Sequence, residues 1–247
     1  MSTKILLTLL LLCSTANAQI AIVNNASFRG DQPVAAGSWV AAFGTFTGVS
    51  TTTAQSFPLP KTLGGVRVSV GGLDAPLYDV RAGQITFLIP NAATTGIRPV
   101  VVTTGSGTIN GTVRVISSAP GIFTKDTQTP PKGAIRNQDG TTENSASAVA
   151  RRGDVVSIYG TGPGVFSRAV EDGAAPGASP LATTRSAPQV FIGGIEANVQ
   201  FSGLNPDAPG LWQINAIVPT QSFITGRVPV RVYVDGVDSN EVTLFVQ

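Results

Sequence analysis

The stretch GSWVAAFG at Gly37–Gly44 decides the fold, because it recurs as GDVVSIYG at Gly153–Gly160. Three further landmarks follow outward from it, in the same order in each half. They pair VSVGGLDA at 68–75 with VFIGGIEA at 190–197, QITFLIP at 84–90 with QINAIVP at 213–219, and PVVVTTGSG from 99 with PVRVYVDG from 229. Four ordered matches predict two copies of one domain, because internal self-similarity of this kind is the signature of a repeated unit.

The residues within each copy follow the period of β-strands. Val66, Val68 and Val70 alternate with polar residues, which places one set of side chains in a core and the other in water. The glycine pair Gly71–Gly72 then favours a tight hairpin, because glycine adopts positive φ at little cost. About six or seven short strands per copy, with turn signals between them and no amphipathic helix, predict an all-β protein of two tandem immunoglobulin-like β-sandwich domains.

The first residues of the chain predict export. Lys4 supplies a positive charge, Ile5–Leu12 is a short apolar run, and Ala16–Ala18 offers a small-x-small cleavage site. These are the three regions of a secretory signal peptide, and the apolar run is shorter than the roughly 20 residues that a membrane-spanning helix needs. We therefore predict a cleaved signal peptide over residues 1–18 and a secreted protein, either extracellular or periplasmic.

The domain boundaries follow from the repeat. The polar segment Thr124–Gly133 (TKDTQTPPKG) contains paired prolines and is typical of a linker. The predicted organisation is a signal peptide at 1–18, a first immunoglobulin-like sandwich at 19–118, a linker at 119–133 and a second sandwich at 134–247.

Composition and charge exclude several classes of protein. Hydrophobic residues make up 42% of the chain, charged residues make up 12%, and the net charge of +2 is too weak for a nucleic-acid-binding protein. No segment after the signal peptide is apolar for long enough to cross a membrane. The single cysteine, Cys13, lies in the predicted signal peptide. The mature protein is therefore predicted to lack disulfides and to depend on core burial for its stability.

Longer stretches around these landmarks carry a family resemblance. They run from VNNASFRGDQPVAAGSWVAAFG at 23–44 through LPKTLGGVRVSVGGLDAPLYDV and APGIF at 119–123, and continue from KGAIRNQDGTTENSASAVARRGDVVSIYGTGPG to GLWQINAIVP. Together they resemble the Solibacter-type C-terminal domain, an uncharacterised bacterial family. The resemblance implies an immunoglobulin-like fold of the IPT/TIG or filamin type in exported proteins. It carries over no catalytic or ligand-binding residue.

The residue inventory predicts that the protein is not an enzyme. The chain contains no histidine, which excludes Ser-His-Asp and Cys-His catalysis and histidine-bound zinc. Lys61, Lys125 and Lys132 lack the S-x-x-K spacing of a serine–lysine nucleophile. A glycosidase needs two carboxylates across a cleft, and a chance pair stays open among acidic residues near turns. Examples are Asp74, Glu143, Asp172, Asp207 and Asp235.

Cofactor and metal motifs are incomplete. Gly160–Gly164 (GTGPG) follows a predicted strand like a dinucleotide-binding turn, but Val165 stands where the third glycine belongs and no helical period follows. Asn137–Glu143 and Asp235–Glu241 cluster oxygen ligands without the spacing of an EF-hand. We predict no cofactor and assign no metal site, with bound calcium left open.

Aromatic side chains are the remaining candidates for ligand contact. In β-sandwiches most aromatics fill the core or cover sheet edges, and the alternative is a platform on which sugar rings stack. The candidates are Trp39, Tyr78, Tyr159, Trp212 and Tyr233. Gln84 and Gln213 occupy equivalent places in the two copies, and we predict that each bonds to the backbone of a neighbouring loop.

The functional prediction is a secreted, non-catalytic binding or structural protein that adheres, scaffolds or acts as a spacer. Its partner would be an unknown protein or polysaccharide at the cell surface. The alternative is a carbohydrate-binding module, in which Trp212→Ala would abolish binding, and a carboxylate-dependent hydrolase is less favoured. No ligand-binding residue is assigned, although the long loops after Gly44 and Gly160 are expected to carry the contacts with the partner.

Overall fold

The computed structural model describes residues 20–30 and 32–247, which form twenty β-strands and no helix. The strands of the first half are β1 (Ala21–Asn24), β2 (Val34–Ala35), β3 (Trp39–Phe43), β4 (Thr52–Thr53), β5 (Arg67–Val70), β6 (Leu73–Asp74), β7 (Leu77–Val80), β8 (Gln84–Leu88), β9 (Gly96–Thr104) and β10 (Gly107–Ile116). Those of the second half are β11 (Gly121–Ile122), β12 (Ile135–Arg136), β13 (Val155–Thr161), β14 (Gln189–Ile192), β15 (Ile195–Ala197), β16 (Val199–Leu204), β17 (Trp212–Ile217), β18 (Gly226–Val234), β19 (Val237–Asp238) and β20 (Val242–Val246). The predicted signal peptide over 1–18 lies outside the described residues. None of the residues described belongs to a helix that could cross a bilayer.

The first half is a sandwich of two five-stranded sheets. One sheet has the order β1-β3-β8-β7-β4, and the other has the order β2-β10-β9-β5-β6. Neighbouring strands are antiparallel, except that β2 runs parallel to β10, with Val34 opposite Val115. These orders match the A-B-E-D sheet and the opposing G-F-C sheet of immunoglobulin domains. The predicted all-β, immunoglobulin-like fold is confirmed.

The second half repeats this topology. Its first sheet has the order β11-β13-β17-β16, with β12 also paired to β13. Its second sheet has the order β15-β14-β18-β19, with β20 paired to β18. The four sequence landmarks fall on equivalent strands, namely β3 and β13, the β5–β6 and β14–β15 hairpins, β8 and β17, and β9 and β18.

Each sandwich encloses its own apolar core. Val68, Val100 and Phe87 are among the fully buried residues of the first core, and they come from both of its sheets. The second core contains Trp212, whose side chain is 0% exposed and whose indole N–H donates to the Ser202 hydroxyl over 2.9 Å. Each large side chain buried in this way stabilises the fold by about 1.5–3 kcal/mol.

The prediction of a linker over 119–133 is wrong. β11 lies within that segment and pairs with β13, and Ile122 is buried in the second core. Thr124 then forms a bridge to Gly133, which returns the chain to the sandwich. The proline-rich stretch is therefore a turn between two strands of the second sandwich. The turn signals were real, but a two-residue strand beside them is too short to produce a visible alternation.

The long β13–β14 connection, residues 162–188, reaches the first sandwich. The backbone N–H of Asn91 donates to the Asp172 carboxylate over 2.8 Å, and its side-chain amide donates to the Val170 carbonyl over 3.0 Å. The N–H of Leu59 donates to the Gly173 carbonyl over 2.8 Å. These contacts of the loop after Gly160 join the two sandwiches.

Candidate functional site

A groove of about 640 Å³ lies on the outer face of the β1-β3-β8-β7-β4 sheet and borders the second sandwich. Four aromatic residues line it, namely Trp39, Phe57, Tyr78 and Phe123. The polar lining comes from the first sandwich and includes Asn25, Asp79, Arg81 and Gln84. Pro209 and Leu211 of the second sandwich also line the groove, which is therefore shared between the two domains.

The alternation of β3 turns Trp39 toward the groove. Val40 and Ala42 are buried in the first core, so Trp39 and Phe43 lie on the opposite face of the strand. On the neighbouring strand β8, Ile85 enters the core and leaves the flanking polar residues on the outer face. The groove is thus built on the regular strands of the sheet.

A β-bulge in β7 brings two functional side chains to the same face. Leu77 and Val80 are both buried in the first core, and the register shifts between Leu77 and Asp79. The extra residue lets Tyr78 and Asp79, although adjacent, both line the groove. Bulges redirect side chains in this way, and regular alternation would have placed one of the two inside.

Trp39 is held by both domains. Its backbone N–H donates to the Thr161 hydroxyl over 2.8 Å, and its indole N–H donates to the Pro209 carbonyl over 3.0 Å. Its ring packs edge-to-face against Tyr78, with centroids 5.6 Å apart and planes at 80°. Such aromatic pairs contribute about 0.5–1.5 kcal/mol beyond area burial. The ring is therefore fixed in orientation before any ligand arrives.

Gly210 permits the close approach of the second sandwich to Trp39. It has φ of +60°, and a Cβ there would collide with the Leu88 side chain. The same Cβ would lie 3.1 Å from the Gly37 carbonyl oxygen and 3.2 Å from Trp39 Nε1. Both the backbone conformation and the space exclude a side chain at this position.

Asp79 carries the buried charge of the groove. Its carboxylate accepts from Arg81 Nε over 2.6 Å and from the Thr53 hydroxyl over 2.7 Å. Burial would raise the pKa of Asp79, but the hydrogen bonds from Arg81 and Thr53 and the charge of Arg81 hold it below its ordinary value. The carboxylate is ionised at neutral pH, and its charge is matched by Arg81.

The side-chain amides of Asn25 and Gln84 differ in their hydrogen bonding. Asn25 Oδ1 is buried without a hydrogen-bond partner among the described residues. Such unsatisfied acceptors are rare in folded proteins. Gln84 donates to the Thr86 hydroxyl over 3.3 Å, and Thr86 also lines the groove.

The structure separates the five aromatics proposed from the sequence. Trp39 and Tyr78 meet in the groove, whereas Trp212 is buried in the core and cannot stack on a ligand. Tyr159 lies under the Arg136 guanidinium, 5.4 Å from its centroid, and Tyr233 packs edge-to-face with Phe191 at 5.5 Å. The expectation that Trp212→Ala would test glycan binding is therefore wrong.

Phe57 and Asn25 were not identified from the sequence. Phe57 lies in a loop with no periodicity, and its side chain is 48% exposed. The predicted role of the two glutamines also needs correction. Gln84 bonds to Thr86, and Gln213 bonds to the side chains of Asn205 and Asn215, so their partners are side chains and not loop backbone.

The candidate carboxylates have separate partners. Asp74 pairs with Arg67, Glu143 pairs with Lys125 and Lys132, Asp172 accepts from Asn91, and Asp235 accepts from Ser118. Asp207 is exposed in a turn, where its backbone N–H donates to the Asn205 side chain. These residues lie at five different places in the fold, and the structure does not bring them together.

The two oxygen-rich segments form turns. Asp139 accepts from the backbone N–H groups of Thr141 and Thr142 and from the Thr142 hydroxyl, which lowers the pKa of Asp139 to about 2. In the other segment Glu241 pairs with Arg231. Over residues 20–30 and 32–247, no group of three or more acidic, histidine or cysteine side chains is placed to hold a metal ion.

The glycine-rich stretch after β13 serves packing. Gly162 and Gly164 have φ of +77° and +93° and press against the chain at Ser117–Ala119. No helix follows them among the residues described. A second cavity of about 560 Å³ lies beyond this stretch, between the first sandwich and the β13–β14 connection, with Asp172 and Arg185 among its lining residues.

No protein family model and no curated protein matches this chain. Among solved structures, similarity is found to SGBP-B of the mixed-linkage glucan utilization locus of Bacteroides ovatus, in complex with a mixed-linkage heptasaccharide. The TM-score is 0.36 and the identity 14%, over 87% of this chain and 42% of that one. SGBP-B from a complex xyloglucan utilization locus in Bacteroides uniformis gives a TM-score of 0.28 and 11% identity, over 92% and 49%.

A pair of titin immunoglobulin domains is also similar, with a TM-score of 0.24 and 9% identity over 87% of this chain and 89% of that one. The chain spans less than half the length of the two Bacteroides proteins. At these low TM-scores and identities the similarities support no conclusion, and the assignment of the fold is based on the strand order described above.

Proposed function

We propose that this chain is a non-catalytic binding protein that holds a carbohydrate in the groove between its two sandwiches. One observation carries the proposal: Trp39 and Tyr78 form a fixed aromatic pair in a groove whose other walls carry hydrogen-bonding side chains. Ligand sites typically combine apolar and aromatic walls with a few well-placed polar groups.

The aromatic rings suit the chemistry of a sugar. A pyranose ring presents a face of C–H groups to an aromatic ring and a rim of hydroxyls to polar side chains. Tyr78 and Phe57 are 41% and 48% exposed, so a ligand can reach both rings. Large aromatic side chains left exposed at a groove are favourable places to bury a ligand's apolar face.

The polar groups suit the hydroxyls. Gln84 lines the groove, and its side-chain amide can both donate to and accept from hydroxyls. Arg81, whose side chain is 60% exposed, keeps donor capacity beyond its bond to Asp79.

The groove is not equipped for glycoside hydrolysis. Of its described lining residues, only Asp79 carries a carboxylate, and that carboxylate is paired with Arg81. Hydrolysis by the usual route needs a second carboxylate on the opposite side of the scissile bond. The groove therefore favours binding over the less favoured hydrolase alternative.

The setting of this function is also a proposal. The predicted signal peptide would deliver the protein to the periplasm or the extracellular space, where polysaccharides are available as partners. The resemblance to the Solibacter-type domain family agrees with export and remains a prediction. A polysaccharide is accordingly the partner that we favour over a protein.

Calorimetric titration tests the proposal. Neutral oligosaccharides derived from cellulose, laminarin and mannan should include a ligand for the wild-type protein, and Tyr78→Ala and Phe57→Ala should each weaken it about tenfold, equivalent to about 1.4 kcal/mol. Phe223→Ala is the matched control, because Phe223 is equally aromatic and 63% exposed but lies on the second sandwich. Flat isotherms for the wild type, or equal losses in all three variants, would contradict the proposal.

A further inference from the structure

We propose that the groove continues along β3 to a second aromatic subsite made by Phe28 and Phe43, so that its ligand is an uncharged chain of several sugar rings. This inference rests on the proposed function and specifies the class of carbohydrate. It follows from the placement of the two phenylalanines, from an unusual backbone conformation and from the charges in the groove.

The second subsite shares a face with the first. Phe43 ends the strand that Trp39 begins, and both side chains point away from the core. Four residues of extended strand separate them by about 13 Å, at about 3.3 Å per residue. Gln84, which lines the groove, lies directly opposite Phe43 in the β3–β8 ladder. Both aromatic pairs therefore lie on the outer face of one sheet, and Gln84 borders both the groove and Phe43.

Phe28 and Phe43 form an exposed pair. Their centroids lie 6.4 Å apart with planes tilted by 53°, and their side chains are 50% and 37% exposed. The repeat supplies a comparison, because Tyr159 occupies the place of Phe43 in the second sandwich. There the Arg136 guanidinium covers the ring. In the first sandwich the corresponding Phe43 ring is exposed and lies beside the Phe28 ring.

The backbone at Phe28 is held in a conformation that favours glycine. Its φ is +52°, an outlier for a bulky residue. The conformation is fixed by a hydrogen bond from its N–H to the Asn24 carbonyl over 2.9 Å, and the Asn24 side chain accepts from the N–H of Ala26. Such outliers persist where the surroundings hold them, and they concentrate at ligand sites. Here the outlier places an aromatic ring beside Phe43.

The charges in the groove favour an uncharged chain. Arg81 lines the groove, and its guanidinium is already matched by Asp79 at 2.6 Å. To pair with Arg81, a uronic acid would have to displace the Asp79 carboxylate from the guanidinium. It would also place its own carboxylate near that of Asp79. A neutral chain avoids both costs, because its hydroxyls can accept from the guanidinium without separating the Arg81–Asp79 ion pair.

The test is a length series. Neutral oligosaccharides of cellulose, laminarin and mannan, from disaccharide to hexasaccharide, would be titrated into the wild type, Phe28→Gly, Phe43→Ser and the control Phe223→Ala, with oligogalacturonates as the acidic comparison. We expect wild-type affinity for at least one neutral series to rise about tenfold with length. Phe28→Gly, which suits the positive φ, and Phe43→Ser should each remove most of that gain, and Phe223→Ala should leave it intact.

Three results would overturn the inference. Affinity that does not grow with length would contradict the second subsite, as would a gain that survives both phenylalanine variants. Tighter binding of oligogalacturonates would contradict the uncharged ligand. In each case a loss of binding in Tyr78→Ala would still support the proposed function, so failure of the extension is distinguishable from failure of the groove.

Discussion

The indole N–H of Trp39 donates a 3.0 Å hydrogen bond to the carbonyl oxygen of Pro209, which joins a strand of the first sandwich to a loop of the second. This bond connects the aromatic floor of the groove to its far wall, beside the bond from the Trp39 backbone N–H to the Thr161 hydroxyl. The two sandwiches are therefore in direct contact, and the groove lies where they meet.

Removing this bond should loosen both the interface and the groove. Trp39→Phe keeps an aromatic ring but leaves the Pro209 carbonyl without its donor, so we expect the free energy of unfolding to fall by about 1 kcal/mol. Urea denaturation measures this loss. Phe223→Ala, an exposed change elsewhere, should alter it by less than about 0.5 kcal/mol. Equal midpoints for Trp39→Phe and the wild type would argue against a stabilising role for the bond.

Gly210 should tolerate no side chain. Gly210→Ala introduces both an unfavourable φ and a collision with Leu88, and we expect a loss of more than about 1 kcal/mol. Gly236→Ala is the matched control, because Gly236 has φ of +80° and open space around its Cβ position. Thermal melts should rank Gly210→Ala clearly below Gly236→Ala. Indistinguishable melting temperatures would mean that the close approach at Trp39 is not required.

Asp79 should make the stability of the protein depend on acid pH. Its pKa is lowered in the folded state from an ordinary value of 3.8, so its ionised form stabilises the fold above that pH. This contribution is lost as the pH falls through the lowered pKa. We expect wild-type stability to exceed that of Asp79→Asn at neutral pH and the difference to shrink below about pH 4. Denaturation curves across this range would refute the pairing if the difference were constant.

Trp212 should behave as a core residue. Trp212→Ala removes a fully buried side chain and should cost about 3–5 kcal/mol, because a cavity remains. Trp212→Phe should recover part of that stability while removing the indole donor to the Ser202 hydroxyl, which keeps its bond from Thr184. Denaturant unfolding followed by circular dichroism measures both. A Trp212→Ala variant as stable as the wild type would show that the ring is not part of the core.

The alternation of apolar residues predicted the strands, and the repeat predicted the two sandwiches. The role of Trp212 was also encoded, because it shares its parity with Ile214 and Ala216, which enter the core. Which face of β3 enters the core was harder to predict. Val40 and Ala42 face the core while Trp39 and Phe43 face outward, and both sets are apolar.

The groove itself could not be derived from local patterns. Tyr78 and Asp79 share a face only because of the bulge in β7, which depends on pairing with β8. Phe57 comes from an aperiodic loop, and Pro209 comes from the other domain. The contacts that assemble these residues span up to 170 positions, as between Trp39 and Pro209, and arise from tertiary packing rather than from sequence neighbours.

The most direct test of carbohydrate binding at the groove follows the two tryptophans of the chain, with Trp39 as the reporter and Trp212 as the reference. In a ¹H–¹⁵N spectrum, each indole N–H gives its own resonance, assignable from Trp39→Phe and Trp212→Phe. During titration with a neutral oligosaccharide, the Trp39 indole resonance should shift progressively while that of the buried Trp212 stays in place. A titration in which the Trp39 resonance does not move, or in which only the Trp212 resonance moves, would contradict carbohydrate binding at this groove.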